Sequence, residues 1–216
     1  MLRILIIALV TLVVAQMMLN RISDRGLTND VASPLDGSRP FQVLTALDAP
    51  RPLPAVDLID QQGEPFSIND LAGRHALLFF GFTNCPDICP LTLAVIADAV
   101  RAIRTGSPEL APDVLFVSVD PGRDSPSRIG FYVDAFDDEF IGATADDATL
   151  APLLEALSVT VHREAVGDET YNVVHNGTIY VLDDAGRWIA LFGGSTHRAA
   201  EIVNDYLSLR AQDPGE

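Results

Sequence analysis

Ala76-Leu77-Leu78-Phe79-Phe80-Gly81-Phe82-Thr83-Asn84-Cys85-Pro86-Asp87-Ile88-Cys89-Pro90 holds both cysteines of this 216-residue chain. Residues 76–82 are a short continuous apolar run bounded by turn signals, which predicts a buried strand. Leu91 to Ile103 then reads as a helix, closed by Thr105-Gly106. Cys85 and Cys89 therefore leave a strand and open a helix, the layout of a thioredoxin-like domain. Their four-residue offset lets one helical turn set both sulfurs on one face. Two thiols so placed can exchange electrons as a disulfide or hold a soft metal ion as thiolates.

Around this stretch the pattern alternates strands and helices. Val56 to Ile59 and Glu64 to Ile68 flank Gln61-Gln62-Gly63 as a hairpin, and Asn69 to Gly73 make a turn. Val114 to Val119 is a second buried strand. Ser127 to Phe136 is helical behind Asp124-Ser125-Pro126, and Phe140 to Ala143 is a short strand. Asp147 to Leu157 is helical. Val159 to Arg163, Val173 to Leu182 and Trp188 to Phe192 are strands, and Ser195-Thr196 caps a last helix, His197 to Arg210. Strand–helix–strand order implies a right-handed parallel crossover and a mixed central sheet with helices on both faces.

Ile4 to Leu19 is apolar apart from Thr11 and Gln16, with Arg3 ahead and Asn20-Arg21 behind. As a helix it measures about 24 Å at about 1.5 Å per residue, against a hydrocarbon core of about 30 Å. Residues 1–22 are read as an N-terminal membrane anchor, with a cleaved signal segment as the alternative. Residues 23–40, rich in Ser, Asp, Gly and Pro, are read as a flexible tether, and 41–212 as the folded domain. Either reading of the leader sends the domain out of the cytoplasm, to the periplasmic side in a bacterium, where a close cysteine pair can oxidise. The formal charge is −16 and all fourteen basic residues are arginines. No basic run exists, so nucleic acid is not an expected partner.

Two cysteines are too few for a disulfide scaffold, so their role is chemical. The dipole and free N–H groups of the helix N-terminus favour a thiolate, more at Cys85 than at Cys89. Asp87 between them opposes ionisation, so the pair is not expected to have a very low pKa. Three intervening residues, rather than the two of the usual redox motif, leave room for an ion. Two thiolates are an incomplete ligand set, and all three methionines lie at or before residue 18. Histidines remain. His75 lies at the wrong end of its strand, His162 is read as a solvent-face residue, and His197 as a polar residue of the last helix's first turn. His175 sits in Tyr171-Asn172-Val173-Val174-His175-Asn176-Gly177-Thr178, where Asn-Gly marks an irregular loop. In thioredoxin-like folds the corresponding loop faces the cysteines, commonly through a cis-proline. No proline occurs here between Pro152 and Pro214. Two thiolates with one imidazole suit copper, whereas zinc wants a fourth ligand.

Three segments, in order, resemble the Sco (SenC) family of copper-binding assembly proteins. They are Phe66 to Gly73 with Leu78 to Pro90, then Ser118-Val119-Asp120-Pro121-Gly122-Arg123-Asp124-Ser125-Pro126, then Tyr171 to His175 with Tyr180 to Asp183. The resemblance implies a thioredoxin-like domain on a membrane anchor, with copper held by Cys85, Cys89 and His175. It implies delivery of copper to the dinuclear copper A site of the copper-bearing subunit of cytochrome c oxidase, with another periplasmic copper carrier as a further partner. Some members reduce a partner's cysteines, so a metal-free thiol–disulfide oxidoreductase using Cys85 and Cys89 is the alternative. The family usually has an aspartate where Val174 stands. Asp120, Arg123 and Asp124 are read as a structural turn with local ion pairing rather than as ligands.

Overall fold

The computed structural model describes residues 41–166 and 170–212. The expected anchor (1–22) and tether (23–40) lie outside the described residues. Among the described residues no helix is long and apolar enough to cross a membrane.

The strands are β1 (Leu44–Arg51), β2 (Leu58–Asp60), β3 (Pro65–Phe66), β4 (Ala76–Gly81), β5 (Asp113–Ser118), β6 (Ile141–Thr144), β7 (His162–Val166), β8 (Thr170–Val174), β9 (Ile179–Leu182) and β10 (Trp188–Phe192). The α-helices are α1 (Ile88–Gly106), α2 (Pro126–Asp134), α3 (Asp147–Ala156) and α4 (Ala199–Gln212). Eight strands form one sheet in the order β1-β10-β9-β4-β5-β6-β2-β3, while β7 and β8 pair as a separate hairpin. β4 runs parallel to β5, and β5 to β6, as helical crossovers require. The remaining pairings are antiparallel, so the sheet is mixed as expected.

Every residue of β4 is buried, because a central strand is covered on both faces. Its alternation sorts the helices. Phe79 and its β5 partner Phe116 point to one face, where the Phe116 ring meets Tyr132 of α2 at 5.6 Å. His75 on that face stands edge-on to Tyr206 of α4 at 6.3 Å. Phe80 points the other way, onto Tyr180, whose hydroxyl donates to the Leu157 carbonyl just past α3 (3.0 Å). Helices thus cover both faces. Ser125 caps α2 with Pro126 as its first residue, and the Asp146 carboxylate caps α3 by accepting from the Thr149 N–H at 2.8 Å.

Three expectations need correction. β1 is absent from the sequence reading: it is an edge strand with mostly exposed side chains and no apolar alternation. The expected strand 173–182 is two strands, β8 and β9, with residues 175–178 between them outside any ladder. The last helix begins at Ala199, with the N–H groups of Glu201 and Ile202 donating to the Arg198 carbonyl, so Ser195 and Thr196 do not cap it.

Candidate metal centre

β4 delivers the chain to the cysteines at Gly81. A Cβ there would lie 2.6 Å from Phe116 Cε2 and 3.2 Å from Cys89 Sγ, so glycine is what lets the ring and the thiol pack onto the strand end. Residues 83–87 then turn tightly before α1 starts at Ile88, three residues earlier than expected, with Pro90 inside its first turn. Asp87 occupies the capping position but makes no side-chain cap. Cys85 Sγ takes up that role and accepts the Cys89 N–H at 3.4 Å. Cys85 is half-buried, Cys89 is 0 % exposed, and both are free thiols.

His175 follows β8 directly, and its Nε2 lies 3.3 Å from Cys89 Sγ. Nδ1 lies 2.7 Å from the Asn176 carbonyl oxygen. A carbonyl can only accept, so Nδ1 carries the proton and, in the neutral ring, the Nε2 lone pair faces the sulfurs. Phe82 and Phe79 stand edge-on to the imidazole at 5.8 and 6.3 Å and hold its plane. Val174, in the position where an aspartate was expected, is 45 % exposed, so the backbone carbonyl of Asn176 orients the ring here. Phe82, Cys85, Ile88, Val173, Val174 and His175 line an open cleft of about 410 Å³.

The thiols are not equivalent. The Cys89 thiol donates towards Cys85, and the backbone N–H groups of Asp87 and Cys89 add to it, so the Cys85 pKa is held down to about 4 despite partial burial. Cys89 is pushed far up by that same bond to Cys85 and by burial. This overturns the expectation that the pair lacks a very low pKa. The Asp87 backbone N–H stabilises the thiolate, so the N–H groups of the helix start, expected to favour Cys85, outweigh the opposing Asp87 carboxylate. Among the described residues no three His, Cys, Asp or Glu side chains are already gathered into a metal cage. The sulfurs and the imidazole are linked pairwise instead.

The other histidines stand away from the sulfurs. His75 is buried at the far end of β4, and His162 is exposed. His197 precedes α4 rather than lying in its first turn, and its Nε2–H donates to the Gly177 carbonyl at 3.0 Å, tying down the loop that carries His175. Gly177 lets the Gly194–Ser195 backbone pack against the same loop, since a Cβ there would sit 3.0 Å from the Gly194 oxygen.

Asp120, Arg123 and Asp124 form a structural turn with local ion pairing, as read, but they also reach further. Buried Asp124 accepts from the Thr83 N–H (2.8 Å), the Thr83 hydroxyl (2.6 Å) and the Ser118 hydroxyl (2.6 Å), pinning the cysteine loop to β5. Arg128 of α2 donates to Thr83 Oγ1 and Asn84 Oδ1 at 2.7 and 2.8 Å. Asp120 and Arg123 grip Tyr171 of β8. Sequence reasoning missed Thr83, Arg128 and Tyr171 as supports; Thr83 and Tyr171 were signalled only by lying in the motif segments, and Arg128, two residues past the second segment, had no signal.

The chain is 33% identical over 138 residues to the SCO2-like protein RP587 of Rickettsia prowazekii, a match covering 63% of this chain and 66% of that one. Its fold matches the ScoI structure of Arabidopsis thaliana with copper bound (TM-score 0.68, 27% identity, 73% of this chain and 98% of that one). It also matches ScoI of Bradyrhizobium japonicum with copper bound (TM-score 0.63, 30% identity, 71% and 96%). A family model described as SCO1/SenC aligns with residues 49–209, spanning both cysteines, the 118–126 turn and His175, and the chain belongs to the SCO1/SenC family.

Proposed function

We propose that this protein carries copper as cargo, binding it through Cys85 Sγ, Cys89 Sγ and His175 Nε2. One observation carries the reading: Cys89 Sγ and His175 Nε2, 86 residues apart in the chain, meet at 3.3 Å. A first-row ion bound at roughly 2.3 Å from sulfur and roughly 2.0 Å from nitrogen separates its donors by about 3 to 4 Å. Cys85, which lies before α1 rather than in it, supplies the remaining sulfur. The Cys85 thiolate and Nε2 lone pair are ready donors, and Cys89 gives up its proton as the ion arrives. The copper-bound ScoI relatives support the choice of metal.

The recipient is the copper-bearing subunit of cytochrome c oxidase, the protein acts outside the cytoplasm, and its N-terminal segment holds it to the membrane. Support comes from family membership and from the apolar run Ile4 to Leu19. The test is to load the reduced protein with copper(I) and count bound metal in wild type, Cys85→Ser, Cys89→Ser and His175→Ala. One ion per wild-type chain is expected, with each variant weakened by about tenfold or more. Equal affinity in His175→Ala removes the imidazole from the site.

The low pKa of Cys85 also favours a second reading, reduction of a partner's disulfide. Metal-free protein would then turn over a model disulfide with His175→Ala as active as wild type. Dependence of cellular function on all three residues supports the copper carrier instead.

A further inference from the structure

We propose that Asp120, Arg123 and Tyr171 form a latch that holds the His175 arm over the cysteines, which makes them positioning residues for the copper site; its copper arm rests on the function proposed above. β7 and β8 pair only with each other among the described strands, so the ladder of the main sheet does not set where the hairpin sits. His175 is the first residue after β8, so whatever holds β8 aims the imidazole. Val173 is buried and Tyr171 packs on the core, and the side-chain hydrogen bonds to β8 come from the segment that follows β5.

Asp120 is 0 % exposed and uses both carboxylate oxygens. One accepts the Tyr171 hydroxyl at 2.6 Å and the other pairs with Arg123 Nε. Arg123 Nη1 donates to the Tyr171 carbonyl at 2.9 Å, and its guanidinium lies 3.9 Å from the centre of the Tyr171 ring. One residue of β8 is thus gripped by hydroxyl, ring face and backbone together. The same guanidinium also lies 5.8 Å from the centre of the Phe82 ring, and Phe82 is the wall against which the imidazole stands at 5.8 Å. From the neighbouring strand, Arg163 donates to the Val119 carbonyl at 2.9 Å, so both strands are tied to the same segment. The latch can open without breaking any strand pairing of the main sheet, which makes it a place where the arm can swing to take or give up an ion.

Tyr171→Phe is the test, because it removes one hydroxyl and leaves the Asp120–Arg123 pair. In the metal-free full chain, amide exchange across residues 171–175 should quicken by about tenfold while β4 and β5 are unchanged. Copper(I) affinity is then measured by competition in wild type, Tyr171→Phe, His175→Ala and the double variant. Tyr171→Phe should weaken binding by about tenfold when His175 is present and have no effect when it is absent. Arg123→Lys, which keeps the charge but loses the stacked fork, should act in the same direction. Unchanged exchange, or a weakening that persists in full without His175, overturns the latch. If His175→Ala binds copper like wild type, the proposed copper site falls, and the metal-free exchange result still decides the latch by itself.

Discussion

At the scale of single residues, the asymmetry between two cysteines four positions apart governs the chemistry. Hydrogen bonds from the Cys89 thiol and from backbone N–H groups hold the Cys85 thiol down to about 4, while that same bond and burial keep Cys89 protonated. Alkylation of Cys85 in reduced, metal-free protein should therefore stay nearly flat from about pH 8 to about pH 5 and fall near pH 4. A rate that already collapses between about pH 9 and about pH 7 contradicts the assignment. A depressed thiol pKa stabilises the folded state above the ordinary thiol range, and that contribution disappears as the pH drops through about 4. Copper binding at neutral pH should release about one proton per ion, from Cys89, rather than about two. Proton-release titration in weak buffer against strong buffer measures the difference.

At the scale of elements, the end of β4 and the turn before α1 act as one part. Gly81 leaves room for the Cys89 thiol and the Phe116 ring, and Asp124 clamps Thr83. Gly81→Ala should cost about 1–3 kcal/mol by overpacking, read as a lower denaturant midpoint, and should weaken copper retention by displacing Cys89. Wild-type stability and retention in that variant would show that the strand end has slack. β4, α1 and β5 were legible in the sequence because a doubly covered strand is a continuous apolar run and an amphipathic helix repeats with its turn. The β7–β8 hairpin was only half legible. Arg163, Glu164 and Asn172 are exposed, so no apolar period announces it. Its place depends on Asp120 and Arg123, about fifty residues away from Tyr171.

At the scale of the whole molecule, the first described residues are fastened to the last helix. Buried Asp205 of α4 accepts the backbone N–H groups of Gln42 (2.9 Å), Val43 (2.7 Å) and Leu44 (2.9 Å). These contacts hold β1 at its edge beside β10, in a segment with few apolar side chains to bury. Asp205→Ala strands three donors at once. It should cost about 2–4 kcal/mol and lower Tm by roughly 5 to 15 °C in calorimetry, while the alkylation profile of Cys85 stays unchanged. A wild-type Tm would mean that water replaces the carboxylate.

The sequence by itself determined the mixed α/β class, the strand that delivers the cysteines and the placing of two thiols together at its end. Each of these is set by residues adjacent in the chain: local apolar runs, turn chemistry and a four-residue spacing. The meeting of His175 with Cys89, the unequal ionisation of the thiols, the grip of Asp120 and Arg123 on Tyr171 and the hold of His197 on the Gly177 loop were decided only by the tertiary structure. Hydrogen bonds and burial act through distances in space, and packing alone brings residues dozens of positions apart to within about 3 Å of one another.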